Sequence, residues 1–158
     1  MHNNSPRILI YGYGNPGRQD DALGVMLSKD IDSWAKSENL PGIDTDQNYQ
    51  LNIEDADKIS QYDLVVFADA SVNDIESFQM DRVLPDMKSD FSMHSVSPSF
   101  VTGLCNEVFN KMPVVYQLEI KGYKWEFMEE ITEDARKNLS SAEKFLKDFV
   151  LRNMNRKA

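Results

Sequence analysis

The stretch Arg7-Ile8-Leu9-Ile10-Tyr11 decides the fold, because it is a short apolar run that Gly12 and Gly14 close. Such a run, bounded by turn residues, is typical of a strand that is buried on both faces of a sheet. A second strong run, Leu64-Val65-Val66-Phe67-Ala68, ends at Asp69. We therefore expect these two strands to lie at the centre of the sheet.

Segments with helical spacing of apolar residues alternate with the strand signals. They cover residues 23–34, 100–109 and 135–149. Ser97-Pro98 is suited to begin the helix over 100–109, because Ser97 provides a side-chain oxygen as a cap and Pro98 fits the first turn. Thr132-Glu133-Asp134 opens the last helix. A shorter helix is predicted over 53–61, and further strands over 43–51, 78–84 and 114–120.

Strands that alternate with helices indicate an α/β protein whose sheet is mostly parallel and is covered by helices on both faces. The chain has no internal repeat and no linker, so we predict a single three-layer domain over residues 1–158, with mobile ends at 1–6 and 154–158. The twisted sheet should contain about five strands. Ligands of such sheets bind at the carboxyl ends of the strands, so functional residues should follow Tyr11 and Phe67.

The composition excludes several classes of function. The net charge of −9 and the pI of about 4.7 argue against a nucleic-acid partner, because binding nucleic acid requires Lys and Arg to neutralise phosphates. The chain lacks a run of about 18 apolar residues and a recognisable signal peptide. Its one cysteine, Cys105, fits a reducing compartment and a buried, inert thiol. We predict a cytoplasmic monomer with no membrane partner.

The loop after the first strand has a G-x-G-x-x-G pattern formed by Gly12, Gly14 and Gly17. A strand before this pattern and a helix after it are the context of a dinucleotide-binding loop. However, Asp20 and Asp21 open the helix that would meet the pyrophosphate, and their charges would repel it. A nucleotide-binding enzyme therefore stays open only as an alternative. Asp20 is expected to cap the helix that follows it.

Three polar side chains are candidates for a metal site at the carboxyl ends of the strands. Asp21 follows the first strand, Asp69 follows the strand 64–68, and His94 lies in a later loop. Two carboxylates and one imidazole suit a divalent transition metal, and imidazole favours nickel, zinc or iron over magnesium or calcium. Trp125 and Phe127, which precede the last helix, are interpreted as packing residues.

These residues together resemble a known family, the hydrogenase maturation proteases. The resemblance rests on Gly12-x-Gly14-Asn15 followed by Asp20-Asp21-x-x-Gly24, on the strand-end pair Asp69-Ala70, and on His94. It covers most of the chain, including the run Trp125-Glu126-Phe127 before the last helix. Asp21 stands where many members carry glutamate. Members of this family are endopeptidases that mature the large subunit of nickel–iron hydrogenases.

The resemblance implies a metal-dependent endopeptidase that removes a C-terminal extension from the large-subunit precursor after nickel has been inserted. It assigns metal contact and catalysis to Asp21, Asp69 and His94, and it assigns a loop beside the substrate to Gly12, Gly14 and Asn15. Nickel is expected to arrive with the precursor and to act as the recognition signal. A non-catalytic nickel-sensing chaperone, which binds the precursor without cutting it, is a second alternative.

Overall fold

The computed structural model describes residues 5–87 and 96–155. Within these ranges the strands are β1 (Ile8–Tyr13), β2 (Ile43–Asn48), β3 (Leu64–Ser71), β4 (Phe78–Val83) and β5 (Val114–Lys121). The helices are α1 (Leu23–Ser37), α2 (Asp55–Ile59), α3 (Pro98–Phe109) and α4 (Glu133–Met154), and a 3₁₀ turn over Gln19–Ala22 precedes α1. Every helix and strand that the sequence predicts is present, with small differences at the ends.

The described strands form one sheet in the order β2-β1-β3-β5-β4. Neighbouring strands from β2 to β5 are parallel, and the edge strand β4 is antiparallel to β5. The predicted α/β fold, with a mostly parallel sheet and both apolar runs inside it, is confirmed. The polar strand β2 lies at an edge of the sheet, so its side chains are only partly buried and its aspartates keep contact with water.

Two apolar cores cover the two faces of the sheet. On one face, Ile8 and Ile10 of β1 pack with Leu27 of α1 and Leu146 of α4. On the other face, the alternate residues of β1 and β3 pack against α2 and α3, and this core includes the buried thiol of Cys105. Both faces of β1 and β3 are therefore apolar, as continuous apolar runs require. No helix in the described ranges is long and apolar enough to cross a bilayer.

The predicted cap of α3 is confirmed, and α4 has a side-chain cap as well. The hydroxyl of Ser97 accepts a hydrogen bond from the Phe100 N–H at 3.1 Å, and Pro98 occupies the first turn. The hydroxyl of Thr132 accepts from the Ala135 N–H at 3.2 Å. Each cap satisfies a backbone donor that the first helical turn leaves without a partner.

A pair of carboxyl groups links α1 to α4. Burial and the interaction with Asp30 raise the pKa of Glu143 from its ordinary value of 4.5 to about 8. Oε2 of Glu143 is buried and has no hydrogen-bond partner among the described residues. Burial and Asp30 therefore favour the protonated form of the Glu143 carboxyl.

We expect Glu143→Gln to change how stability depends on pH. Because the pKa of Glu143 is raised in the folded state, the folded chain keeps a proton that the unfolded chain releases above about pH 4.5. The contribution of Glu143 to the free energy of unfolding is full below that pH and is lost as the pH rises towards about 8. Glutamine cannot release a proton, so the variant should gain stability relative to the parental chain across this window.

Urea unfolding at several pH values across the window measures this gain. The same substitution at the exposed Glu107 on α3 is the matched control. A difference in unfolding free energy between the Glu143→Gln variant and the parental chain that stays constant with pH would contradict the prediction.

Candidate functional site

The site lies at the carboxyl edge of the sheet, between β1 and β3. From β1 the chain crosses through α1 to β2 on one side, while β3 lies on the other side of β1. Open α/β sheets bind ligands at such a point, because the loops that leave the two strands diverge and form a cleft. Asp21 follows β1 and Asp69 lies near the end of β3, so both candidate carboxylates belong to this edge.

The loop after β1 holds Asp21 in a fixed position. The Asn15 N–H donates a hydrogen bond to Oδ2 of Asp21 at 2.8 Å. Gly14 has a φ of +136°, and a Cβ at this position would collide with the carbonyl oxygen of Asp21. Glycine is therefore required here both for its backbone conformation and for the close approach of the turn.

Gly24 brings the start of α1 against the sheet. A Cβ at Gly24 would collide with the carbonyl oxygen of Ala68, and a Cβ at Gly12 would collide with the carbonyl oxygen of Gly24. These two glycines thus let the helix backbone contact β1 and β3 directly. The contact brings the 3₁₀ turn with Asp21 next to the end of β3.

Asp69 is largely buried and interacts with the charge of Asp21. Burial, the charge of Asp21 and the charge of Glu119 raise the pKa of Asp69 to about 7. Hydrogen bonds from the Ala70 N–H and from Tyr13 act in the opposite direction. The charge of Asp21 is thus close enough to raise the pKa of Asp69, and carboxyl groups with a shifted pKa are common at functional sites.

Three side chains around Asp69 were not among the candidates from the sequence. Gln117 Nε2 donates to the hydroxyl oxygen of Tyr13 at 3.1 Å, and Tyr13 in turn bonds to Asp69. Burial and the charge of Asp69 raise the pKa of Tyr13, so its hydroxyl keeps the proton that it donates. Glu119 is the register partner of Asp69 on β5. Side chains alternate between the two faces of a strand, so this alternation could have identified Tyr13 and Glu119 as neighbours of Asp69, but only if the strand order were known.

The predicted role of Asp20 as a cap of the following helix is wrong. Neither the 3₁₀ turn nor α1 has a side-chain cap, and the carboxylate of Asp20 is fully buried. It accepts hydrogen bonds from the N–H groups of Tyr123, Lys124 and Thr132 and from the Thr132 hydroxyl, at 2.8–3.1 Å. Asp20 therefore ties the site loop to the segment before α4, because that segment offers donors that have no helix or sheet partner.

The glycine loop is poorly suited to bind a nucleotide phosphate. A phosphate-binding loop needs free backbone N–H groups, but those of Gly14, Asn15 and Gly17 already donate to Asn48 O, Asp21 Oδ2 and Asn15 Oδ1. Pro16 has no N–H to offer. The geometry argues against the nucleotide-binding alternative, and it explains the glycines by close packing instead.

Solved structures resemble this chain along nearly its whole length. The [NiFe] hydrogenase maturation protease HycI from Thermococcus kodakarensis KOD1 is 21% identical, with a TM-score of 0.71 over 94% of this chain and 95% of that chain. The hydrogenase maturating endopeptidase HybD from E. coli is 16% identical, with a TM-score of 0.66 over 92% and 93%. The chain has the fold of the hydrogenase maturation proteases. No protein-family model and no curated protein matches the sequence.

Within this maturation-protease fold, the third predicted metal ligand, His94, lies in residues 88–95, outside the described residues. Among the described residues, no group of three His, Cys, Asp or Glu side chains could hold a metal ion by itself. Asp21 and Asp69 thus supply two carboxylates, and the roles of all three residues stay predictions.

A cavity of about 270 Å³ lies beside the same loop, on the side of β2. Gly14, Val25, Lys29 and Tyr49 contribute to its wall. The cavity is open to solvent and has both apolar and cationic walls. It is large enough for a few side chains of a bound polypeptide.

Proposed function

We propose that this protein is an endopeptidase that removes the C-terminal extension from the large-subunit precursor of a nickel–iron hydrogenase. The observation that carries the proposal is the position of Asp21 and Asp69 together at the carboxyl edge of a fold shared with hydrogenase maturation proteases. The two aspartates occupy the loop after β1 and the end of β3, as the family resemblance implies. A cavity that is open to solvent beside the loop after β1 is compatible with a polypeptide substrate.

Nickel is proposed to reach this site as part of the substrate. Two carboxylates and one imidazole, from Asp21, Asp69 and His94, suit a divalent ion but leave coordination positions empty. Such a set should hold nickel weakly on its own. Donors from the precursor would complete the shell, so that the metal joins enzyme to substrate and binding depends on nickel.

The carboxylates then have two tasks in hydrolysis. They hold the metal-bearing part of the precursor in the cleft, and they fix the direction from which water reaches the scissile carbonyl. A divalent ion supplies Lewis acidity, either to polarise that carbonyl or to lower the pKa of a water molecule. The thiol of Cys105 is buried on the face covered by α2 and α3, so it does not serve as a nucleophile at this edge.

The test compares nickel-loaded with nickel-free precursor, each incubated with the purified chain. We expect the loaded form to be cleaved at least about 100-fold faster than the nickel-free form, because the metal completes the enzyme–substrate contact. Mass spectrometry of the released extension measures the rate.

Three outcomes separate the candidates. Equal cleavage of both forms would contradict the role of nickel while leaving a protease. Tight binding of the loaded precursor without cleavage would identify the chaperone alternative. No binding of either form, together with binding of a nucleotide, would favour the nucleotide enzyme.

A further inference from the structure

Two exposed apolar side chains stand beside the candidate site. Phe127 is 68% exposed and Met128 is 93% exposed, and both belong to the segment that joins β5 to α4. The interpretation of Phe127 as a packing residue is therefore wrong, because its ring contacts solvent on most of its surface. We refer to Phe127 and Met128 as the apolar tip.

The apolar tip is held by contacts to the site loop. The Met128 N–H donates to the Gly17 carbonyl oxygen at 2.9 Å, and the Glu126 N–H donates to Gln19 Oε1 at 3.1 Å. The guanidinium of Arg18 lies over the Phe127 ring, 5.6 Å from its centroid, while its Nε donates to the Trp125 carbonyl oxygen. The tip is thus fixed at both of its ends before any partner arrives.

The backbone at Met128 is itself unusual. Its φ of +62° lies in the left-handed region, which a long side chain rarely adopts. This conformation is held by the bond to Gly17, and it turns the Met128 side chain fully into solvent. A fixed loop that presents two apolar side chains loses little conformational freedom when a partner covers them, which favours binding.

The charges around the tip indicate what kind of surface would cover it. Glu126, Glu129 and Glu130 flank Phe127 and Met128, and all three are exposed. These three carboxylates outnumber the nearby cations Arg18 and Lys124, so an apolar recess bordered by Lys or Arg would complement the tip. A second copy of this chain is a poor occupant, because its net charge is −9 and like charges would oppose contact.

The tip contacts the loop that carries Asp21. Gly17 and Arg18 contact the tip, and Asn15, two residues before Gly17, donates to Asp21. The tip is thus attached to the same loop that carries Asp21, so a polypeptide that contacts this loop has the tip close by.

We propose that the apolar tip, Phe127 and Met128, docks into a recess bordered by basic residues on the protein substrate and holds it over Asp21 and Asp69. This inference rests on the proposed protease function. The tip sets affinity for the substrate, whereas the carboxylates act on the bond that is cut.

The test variant replaces both tip residues without disturbing the loop. Phe127→Ser removes the ring, and Met128→Asn removes the thioether while introducing a residue type that tolerates the left-handed conformation. Cleavage of nickel-loaded precursor should show a KM raised by about tenfold or more with kcat nearly unchanged, because a few central apolar residues dominate most interfaces. The matched control is Val108→Ser with Met112→Ser, which are 61% and 56% exposed at the opposite edge of the sheet.

A second variant tests the charge complementarity. Glu126→Gln, Glu129→Gln and Glu130→Gln in one chain should raise KM and weaken its dependence on salt. Circular dichroism and thermal unfolding verify that all variants fold.

Each outcome has a definite meaning. If the parental and control chains cut the precursor and the tip variant has a raised KM, the proposal is supported. The proposal is overturned, while the protease function stands, if all three chains have equal kinetics or if the tip variant loses only kcat. It is also overturned if the parental chain forms a dimer that the tip variant abolishes. If the parental chain does not cut the precursor, the proposed function fails and the docking role fails with it.

Discussion

Asp69→Asn should abolish cleavage of nickel-loaded precursor while the chain stays folded. The substitution keeps the volume of the side chain but removes a negative oxygen donor from the candidate metal contact. In metal sites, the loss of a residue that only supports a ligand lowers metal affinity or activity by about 10- to 100-fold. For Asp69, a predicted ligand, we therefore expect a cleavage rate at least about 100-fold lower. Because Asp69 repels Asp21 and is buried, neutralising it should not reduce the free energy of unfolding.

The matched control is Asp74→Asn, which removes the same charge just beyond the end of β3. Asp74 is fully exposed and pairs only across the surface with Lys121, an interaction of small energy. Its variant should cut at the parental rate. Single-turnover cleavage and circular dichroism are the two measurements. A folded Asp69→Asn variant that cuts as fast as the parental chain would remove Asp69 from the mechanism.

Asp20→Ala should lower the stability of the chain more than Asp69→Asn or Asp74→Asn does. The fully buried carboxylate accepts four hydrogen bonds, from three backbone N–H groups and the Thr132 hydroxyl. Alanine leaves these donors without a partner in a space that water fills poorly. We expect the free energy of unfolding to fall by about 3–5 kcal/mol, which is a large part of the stability of a typical domain.

Urea unfolding measures this loss, and Asp148→Ala on the exposed side of α4 is the control. Asp20→Asn is the informative second variant. The asparagine amide has the size of the carboxylate, but its NH₂ group cannot accept hydrogen bonds from the donors it would face. Only part of the stability that Asp20→Ala loses should therefore return. An Asp20→Ala variant as stable as the control would show that these hydrogen bonds contribute nothing net.

The sequence predicts the architecture well because the strongest signals are local. The apolar runs in β1 and β3 and the side-chain caps Ser97 and Thr132 depend on neighbours within a few residues, and the structure has all of them. The predictions for Asp20 and Phe127 are wrong because their surroundings depend on residues that are distant in the sequence. The partners of Asp20 lie more than a hundred residues away in the sequence, and solvent exposure of Phe127 follows from a loop that only tertiary contacts hold.

The candidate site was predictable in part. Asp21 and Asp69 each follow a strong apolar run, and parallel strands bring their carboxyl ends to one edge. Tyr13, Gln117 and Glu119 could not be added from the sequence, since their position next to Asp69 depends on strand order and register. The role of His94 stays a prediction.

The bonds from Asp20 to Thr132 join residues 112 positions apart. Contacts between such distant residues form late, because the long intervening chain must first be brought together. On the ribosome, β1, α1 and β3 can begin to associate before the segment around Thr132 has been synthesised. The loop that carries Asp21 cannot be fastened until that segment arrives. A nascent chain therefore carries Asp21 on a loop that stays unfastened until the segment around Thr132 has been synthesised.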